Sequence, residues 1–380
     1  MALDRFEVRI SIQKVLLGLV LVIVPLSIVG LYLTSRSDSA LDASIGTSLK
    51  DMAHMYSTET SHLLNDRVAA VKLIAADPSV VEATVASNNS FGKSGASANA
   101  NIEKIEKTWS TPEGTAKANA LLSSKPSETL RHYHEMDKGM LNITVADLHG
   151  VPVATTTKPG RYNLSTWDPW QAGYAGGKGE VSVGNILYDE STKSYFVNVS
   201  VPVKEPKTEQ LAGIAVASVD ITPILANFQQ ESRDSGMQAF LVNSNGAVIS
   251  GPKTDVFARA RSEAFDYVHD ALASADARQT GYVLADLSHG TEIVGFADTG
   301  LQKTYKNFDW TVLVSRNEHE ATAPIRMLSQ FAILMVILAL FMLTLLSVYY
   351  ALHRKQQFAD IQEGLSVSKP LSPTPPPQAV

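Results

Sequence analysis

Cysteine is absent from all 380 residues. Thiol catalysis, disulfide staples and sulfur-ligated zinc are excluded with it. Charge is sparse too: 18% of residues are Asp, Glu, Lys or Arg, and they sum to a net −6. No run of Lys and Arg occurs. Such clusters are what neutralise phosphates, so the chain reads as having no nucleic-acid partner. Also missing are Gly-x-Ser-x-Gly, His-Glu-x-x-His and Gly-x-x-x-x-Gly-Lys, the signatures of a nucleophile elbow, a zinc-protease helix and a phosphate loop. "GYAGGKG" (173–179) carries a Lys but no following Ser or Thr, and reads as a turn. "RHYHEMD" brings His132, His134 and Glu135 together. On a helix the two imidazoles would point to different faces, so the stretch reads as surface, not as a metal site. Asp189, Glu190 and Asp220 lack the regular loop of oxygen ligands that calcium needs. No enzyme, cofactor or metal is expected.

What the chain does have is two long uncharged runs. "VLLGLVLVIVPLSIVGLYLTS" fills 15–35 and "MLSQFAILMVILALFMLTLLSVYYAL" fills 327–352. At ~1.5 Å per helical residue, either covers the ~30 Å hydrocarbon core of a bilayer. The first exceeds a signal-peptide core and no small-x-small cleavage site follows it, which favours a retained anchor. Arg5, Arg9 and Lys14 precede the first run, while Arg354 and Lys355 follow the second. Positive charge marks the cytoplasmic side. The expectation is therefore a two-pass protein of the bacterial inner (plasma) membrane. Residues 1–14 and 353–380 would be cytoplasmic, with 36–326 in the periplasm. A large outer part without disulfides suits a bacterial envelope better than a eukaryotic surface. The sequons at Asn88, Asn142, Asn163 and Asn198 then read as chance matches.

Within the outer part, Leu41, Ile45, Leu49 and Met52 form one helical stripe, and Leu63, Leu64, Val68, Val71 and Ile74 a second. One long helix over 37–86 is expected, with two kinked helices as the alternative. After a polar loop (87–101) and a second helical stretch (102–138), the texture turns to short strands. "LNITVADLHGVPVATTT" is strand, turn at Leu148-His149-Gly150, strand. "MQAFLVNSNGAVISG" echoes it through an Asn245-Gly246 turn. Two sheet units of similar plan follow, a distal module at about 102–222 and a proximal one at about 236–316. The class is α+β: a long N-terminal helix, then two tandem antiparallel-sheet modules.

This order resembles the double-Cache sensor domains of bacterial chemoreceptors and sensor kinases, with their paired PAS-like sheets. "VADLHGVPVATT" resembles that family's Asp-x-x-Gly strand pair. "WDPWQAGYAGGKGEVSVGNILYDES" resembles its Trp-containing binding loop, Gly turn and Tyr-Asp segment. "FVNVSVPV" with "LAGIAVASVDI" resembles its central strand pair. The resemblance implies a ligand site in the distal module. Amino-acid-binding members carry an Arg-x-Trp-Tyr run there, a later Tyr and a strand-end Asp. Trp170, Tyr188 and Asp220 fall at three of these places, but Asp168 stands where the Arg would be and Gln171 at the second aromatic. The carboxylate clamp is missing.

Chemically, Trp167, Trp170 and Tyr188 offer ring faces while Asp168, Asp189 and Asp220 offer negative charge. Such a set suits a cationic amine or amino-acid-like ligand. A desolvated ring face contributes ~1–2 kcal/mol and a charge-assisted hydrogen bond ~1.5–3 kcal/mol. The alternative is that the tryptophans only plug the loop against the sheet. After the second run come 28 residues ending in "SPTPPPQAV", with no kinase, cyclase or chemotaxis domain. The expected function is a membrane-anchored sensor that relays to a histidine kinase, chemoreceptor or other signalling protein in trans. A homodimer in a lipid bilayer is the expected state. The alternative of another class is a membrane-anchored scaffold with a vestigial pocket.

Overall fold

The computed structural model describes residues 12–91, 95–229, 236–274, 280–321, 331 and 333–349. The chain divides into two compact units, one of residues 1–44 with 319–380 and one spanning Ile45–Glu318. Of the first unit, the described parts are the start of helix α1 (Ile12–Ala75), residues 319–321 and 331, and a helical stretch over 333–349. Both carry large exposed apolar side chains, among them Leu17, Leu21, Ile28, Leu334 and Phe341. Among the described residues no helix is long and apolar enough to cross a membrane. The spans expected at 15–35 and 327–352 therefore rest on the sequence. The expected cytoplasmic ends lie outside the described residues except for 12–14.

In the second unit, the helix expected to run to 86 ends at Ala75. Pro78 has no N–H to donate and biases the preceding residue away from helical angles. Asp77 accordingly sits at φ −61, ψ 128, and its carboxylate accepts from Ser79 N at 2.9 Å to cap α2 (Pro78–Ser90). The second helical stretch is likewise three helices: α3 (Gly95–Thr108), α4 (Pro112–Leu122) and α5 (Lys125–Met136). Pro112 and Pro126 explain the breaks, since each sits in the first turn of a new helix. Helix α3 begins inside the polar stretch read as a loop.

The distal sheet follows. Its strands are β1 (Met140–Asp147), β2 (Pro152–Thr155), β3 (Ser182–Val183), β4 (Leu187–Asp189), β5 (Ser194–Lys204) and β6 (Leu211–Asp220), with helix α6 (Asp168–Tyr174) between β2 and β3. The order is β2-β1-β6-β5-β3, and β4 also pairs with β5. Helix α7 (Thr222–Gln229) leads to the proximal sheet. That sheet comprises β7 (Met237–Val242), β8 (Val248–Ser250), β9 (Thr280–Leu287), β10 (Gly290–Asp298) and β11 (Thr311–Asn317), with α8 (Glu263–Ser274) between β8 and β9. Its order is β8-β7-β11-β10-β9. Two antiparallel sheets on one plan, behind a long helix, match the expected α+β class.

One core runs beneath both sheets. Leu49, Leu64, Val68, Val71 and Ile74 of α1 are buried against Val145, Val199 and Ala217 of the distal sheet and Leu241, Ile293 and Val312 of the proximal one. Each such side chain contributes ~1.5–3 kcal/mol relative to exposure. The approach is close: a Cβ added at Gly295 of β10 would lie 2.3 Å from the backbone of Leu49.

The internal repeat is realised atom by atom at the two opening turns. Asp147 Oδ1 accepts from the backbone N–H of His149 and Val151, both at 2.9 Å. Asn243 Oδ1 does the same for Asn245 and Ala247, at 3.0 and 2.9 Å. Gly150 and Gly246 follow at φ +77 and +76, angles that favour glycine.

Candidate functional site

The face of the distal sheet turned away from α1 builds the site. Strand side chains alternate between faces. Hence Asn142 and Thr144 of β1, Asn198 and Ser200 of β5, and Ser218 of β6 share that face, while Ile143, Val145, Val197 and Val199 enter the core. Register aligns Asn142, Ser218 and Asn198 in one row across the three middle strands, and Thr144, Val216 and Ser200 in the next. Asn198 and Ser200 are buried, yet satisfied. Asn198 Oδ1 accepts from Ser218 Oγ at 2.9 Å, and Ser200 Oγ donates to Pro169 O at 2.7 Å.

Helix α6 lies over this face, and Gly173 lets it approach: an added Cβ there would sit 2.7 Å from Ile214. Trp170 is buried, packed with Ala146, Leu164, Ile214 and Val216. Its Nε1 donates to Asp147 O at 3.3 Å, and its ring stacks on Tyr174 at 4.7 Å. Trp167, half-buried at the start of α6, stands between two cavities and lines both. One, of about 340 Å³, is walled by Trp167, Asp168, Ser182, Asn185, Leu187, Asn198, Ser200 and Asn307. The other, of about 220 Å³, has Asn142, Thr144, Gly160 and Arg161 around it. The loop carrying Arg161 is fixed from α3, because Glu106 accepts from Tyr162 N and Asn163 N at 2.6 and 2.7 Å. Trp109 Nε1 also donates to Pro159 O at 2.8 Å.

The residues singled out from sequence are thus dispersed. Trp167 and Asp168 wall the larger cavity. Trp170 lies beneath, its indole engaged with the sheet. Tyr188 is exposed against Tyr195 at 4.9 Å, while its neighbour Leu187 lines the cavity. Asp189 holds its own turn, accepting from Ser191 N, Ser191 Oγ and Thr192 Oγ1. The Ser191 hydroxyl, first among these donors, lowers the pKa of this carboxyl. Asp220 caps α7, accepting from Thr222 N at 2.8 Å. Neither Asp189 nor Asp220 lines either cavity. The Asp-x-x-Gly carboxylate is structural as well. Asp147 is fully buried and accepts from Ser87 Oγ in addition to its turn. Burial raises its pKa against the pull of the Ser87 hydroxyl and the two backbone donors.

Sequence reasoning missed Asn142, Thr144, Asn198, Ser200, Asn185, Arg161 and Asn307 as lining residues. A signal for four of them was in view. Asn142-Ile-Thr144 and Asn198-Val-Ser200 are sequons, and in a strand an i, i+2 polar pair is two side chains on one face. Asn185, Arg161 and Asn307 are brought in by loops and carry no periodic signal. Among the described residues no group of three or more His, Asp or Glu side chains could hold a metal ion.

The family model described as Cache domain matches residues 37–325. No curated protein sequence matches the chain. Similar solved structures include the ligand-binding domain of the Pseudomonas aeruginosa PAO1 amino acid chemoreceptor PctB in complex with L-Arg. It is 14% identical, with 74% of this chain and 98% of that one covered and a TM-score of 0.42. The ligand-binding domain of the Campylobacter jejuni chemoreceptor Tlp3 with L-norvaline is 10% identical, over 74% and 94%, at 0.46. That of the Pseudomonas fluorescens chemoreceptor CtaA with L-isoleucine is 14% identical, over 76% and 98%, at 0.44.

Proposed function

The chain belongs to the Cache domain family across residues 37–325, and from that membership we propose that it is a membrane-anchored extracytoplasmic sensor of a small cationic ligand, not an enzyme. The carrying observation is the larger cavity of the distal module. Asp168 sits on its wall beside the half-buried ring of Trp167, and among the described residues no Lys or Arg joins them there. The remaining polar wall is amide and hydroxyl: Asn185, Asn198, Ser200 and Asn307. A primary or quaternary ammonium would face the Trp167 ring and the Asp168 carboxylate, with amide oxygens accepting any further N–H. A cation held this way gains ~0.5–2 kcal/mol from the ring and ~1.5–3 kcal/mol from a charge-assisted hydrogen bond. A ligand anion would be repelled by Asp168, though Arg161 beyond Trp167 offers a carboxylate a second place at the neighbouring cavity. In this proposal Trp170 supports the site from below, while Tyr188, Asp189 and Asp220 lie outside its wall.

Anchoring by residues 15–35 and 327–352 is supported by their lack of charge and by the exposed aliphatic side chains found in both stretches. Contiguous apolar surface of that kind calls for a cover. The outer part would then lie in the periplasm and would pass a population shift to a signalling partner across the membrane. A ligand moves such an equilibrium only by its differential affinity for the two states.

A thermal-shift screen with amines, amino acids, organic acids and divalent cations tests the ligand class. An amine at ~100 times its dissociation constant adds ~2.7 kcal/mol, several degrees in a domain of this size. Asp168→Ala should then weaken that amine at least about tenfold, the loss of one charge-assisted hydrogen bond. A response confined to carboxylates would overturn the amine assignment while keeping the sensor.

A further inference from the structure

Among the described residues, Asn307 is the one wall residue of the larger cavity that the distal module does not supply. It belongs to the stretch between β10 and β11 of the proximal module, yet lines the cavity with Trp167, Asp168 and Asn198. Its Nδ2 donates to Val183 O on β3 at 3.3 Å, which leaves the amide oxygen as an acceptor for a ligand donor. The stretch that carries it is held firmly. Phe308 is buried with its ring 4.4 Å from that of Trp310, and its N–H donates to Tyr305 O at 3.0 Å. Tyr305 Oη donates to Asn65 Oδ1 on α1 at 2.9 Å. One and two turns earlier on that helix, Ser61 Oγ donates to Thr299 O at 2.6 Å and Ser57 Oγ to Asp298 O at 2.8 Å. Positions 57, 61 and 65 recur every fourth residue, so they share one helix face.

We propose that the distal cavity takes one wall from the proximal module. Asn307 is a ligand-contacting, specificity-determining residue. The stretch from Asp298 to Trp310, fastened to α1 through Ser57, Ser61 and Asn65, is where an occupant of the distal site bears directly on the proximal module and the long helix. The inference rests on the cavity being the ligand site, and it names how that site is read. In the apolar core a ligand would be felt only through repacking. Here it would alter a polar contact whose far end is already tied to α1.

The chain's lack of cysteine allows a test that needs no known ligand. In the full chain in detergent, Asn307→Cys introduces the sole thiol. Its reaction rates are measured with a cationic reagent, 2-aminoethyl methanethiosulfonate, and an anionic one, 2-sulfonatoethyl methanethiosulfonate. If Asn307 faces the same chamber as Asp168, adding Asp168→Asn lowers the cation-to-anion rate ratio about threefold at low ionic strength, as expected for a carboxylate ~10 Å away. Lys303→Cys, exposed and outside the cavity wall, should show no such change. A second variant guards against the loop being disturbed. With the thiol at Asn185→Cys instead, Asn307→Asp should raise the ratio by a similar factor. A ratio unmoved in both pairs, or moved equally at Lys303→Cys, overturns the shared wall. The amine screen can fail while these ratios shift, so the failure of the amine reading and of this one are distinguishable.

Discussion

Across the middle three strands of the proximal sheet, one row reads Phe240, Leu313, Phe296. In the distal sheet the corresponding row reads Thr144, Val216, Ser200. The next row is Gln238, Ser315, Val294 in one and Asn142, Ser218, Asn198 in the other. Strand order, opening turn and core side are shared, so the difference lies in what covers the outer face. Over the proximal sheet, α8 contributes Ala264, Phe265 and Val268, which close with Val242, Val294, Phe296 and Leu313 into an apolar cluster. Over the distal sheet the short α6 seats Trp170 at one end and leaves cavities either side of Trp167. Interiors tolerate few voids larger than water. The polar-lined gap in one module, set against the filled face of the other, is the contrast on which the proposed binding surface rests.

Mutations that erase this contrast should have graded effects. The largest belongs to the filled side. Phe296→Ala opens a cavity in the proximal cluster and should cost ~3–5 kcal/mol, a fall of about 10 °C in melting temperature. A loss under about 1 kcal/mol would mean that face is not packed. Next comes Asn198→Val, which writes the proximal residue of that row into the distal sheet. It strands Ser218 Oγ but removes a buried amide, so stability should stay within ~1 kcal/mol of the parent by denaturant titration. Any ligand found should lose about tenfold in affinity by calorimetry. Binding untouched by this change would move the site off the sheet face.

The smallest effect lies at the turns. Burial raises the Asp147 carboxyl above its ordinary range, so the folded chain holds this proton more tightly than the unfolded one. Its contribution is fully present below the unfolded pKa, about 3.9, and is lost as pH rises through the raised folded value. Asp147→Asn copies Asn243, keeps an acceptor for both backbone donors and cannot ionise. Melting curves of the two proteins should therefore diverge as pH rises above the unfolded value of about 3.9, in favour of the variant. A difference that stays constant as pH rises from below that value would refute the burial argument.

Much of the fold was legible because it is periodic. The α1 stripe of Leu64, Val68, Val71 and Ile74 and the paired turns at Gly150 and Gly246 are local patterns with local causes, and the structure bears them out. The helix break was also written, in Asp77-Pro78, though a span to 86 ran across it. The site was harder to read. Trp167 and Asp168 could be picked out as an aromatic beside a carboxylate. Asp189 and Asp220 looked the same in sequence, but their oxygens serve a turn and a helix cap, which only backbone geometry reveals. Asn307 reaches the cavity wall from far along the chain, and no local pattern announces that.

The most direct measurement is the same thermal-shift panel run side by side on the parent chain and on Gly184→Leu. Gly184 lines the larger cavity, and an added Cβ meets nothing closer than 3.6 Å, so leucine there fills the gap much as the proximal face is filled. The account predicts an amine that raises the parent's melting temperature by several degrees and leaves the plugged variant unmoved, the two proteins melting alike without ligand. An equal shift in both, or no response from the parent to any amine, would contradict it.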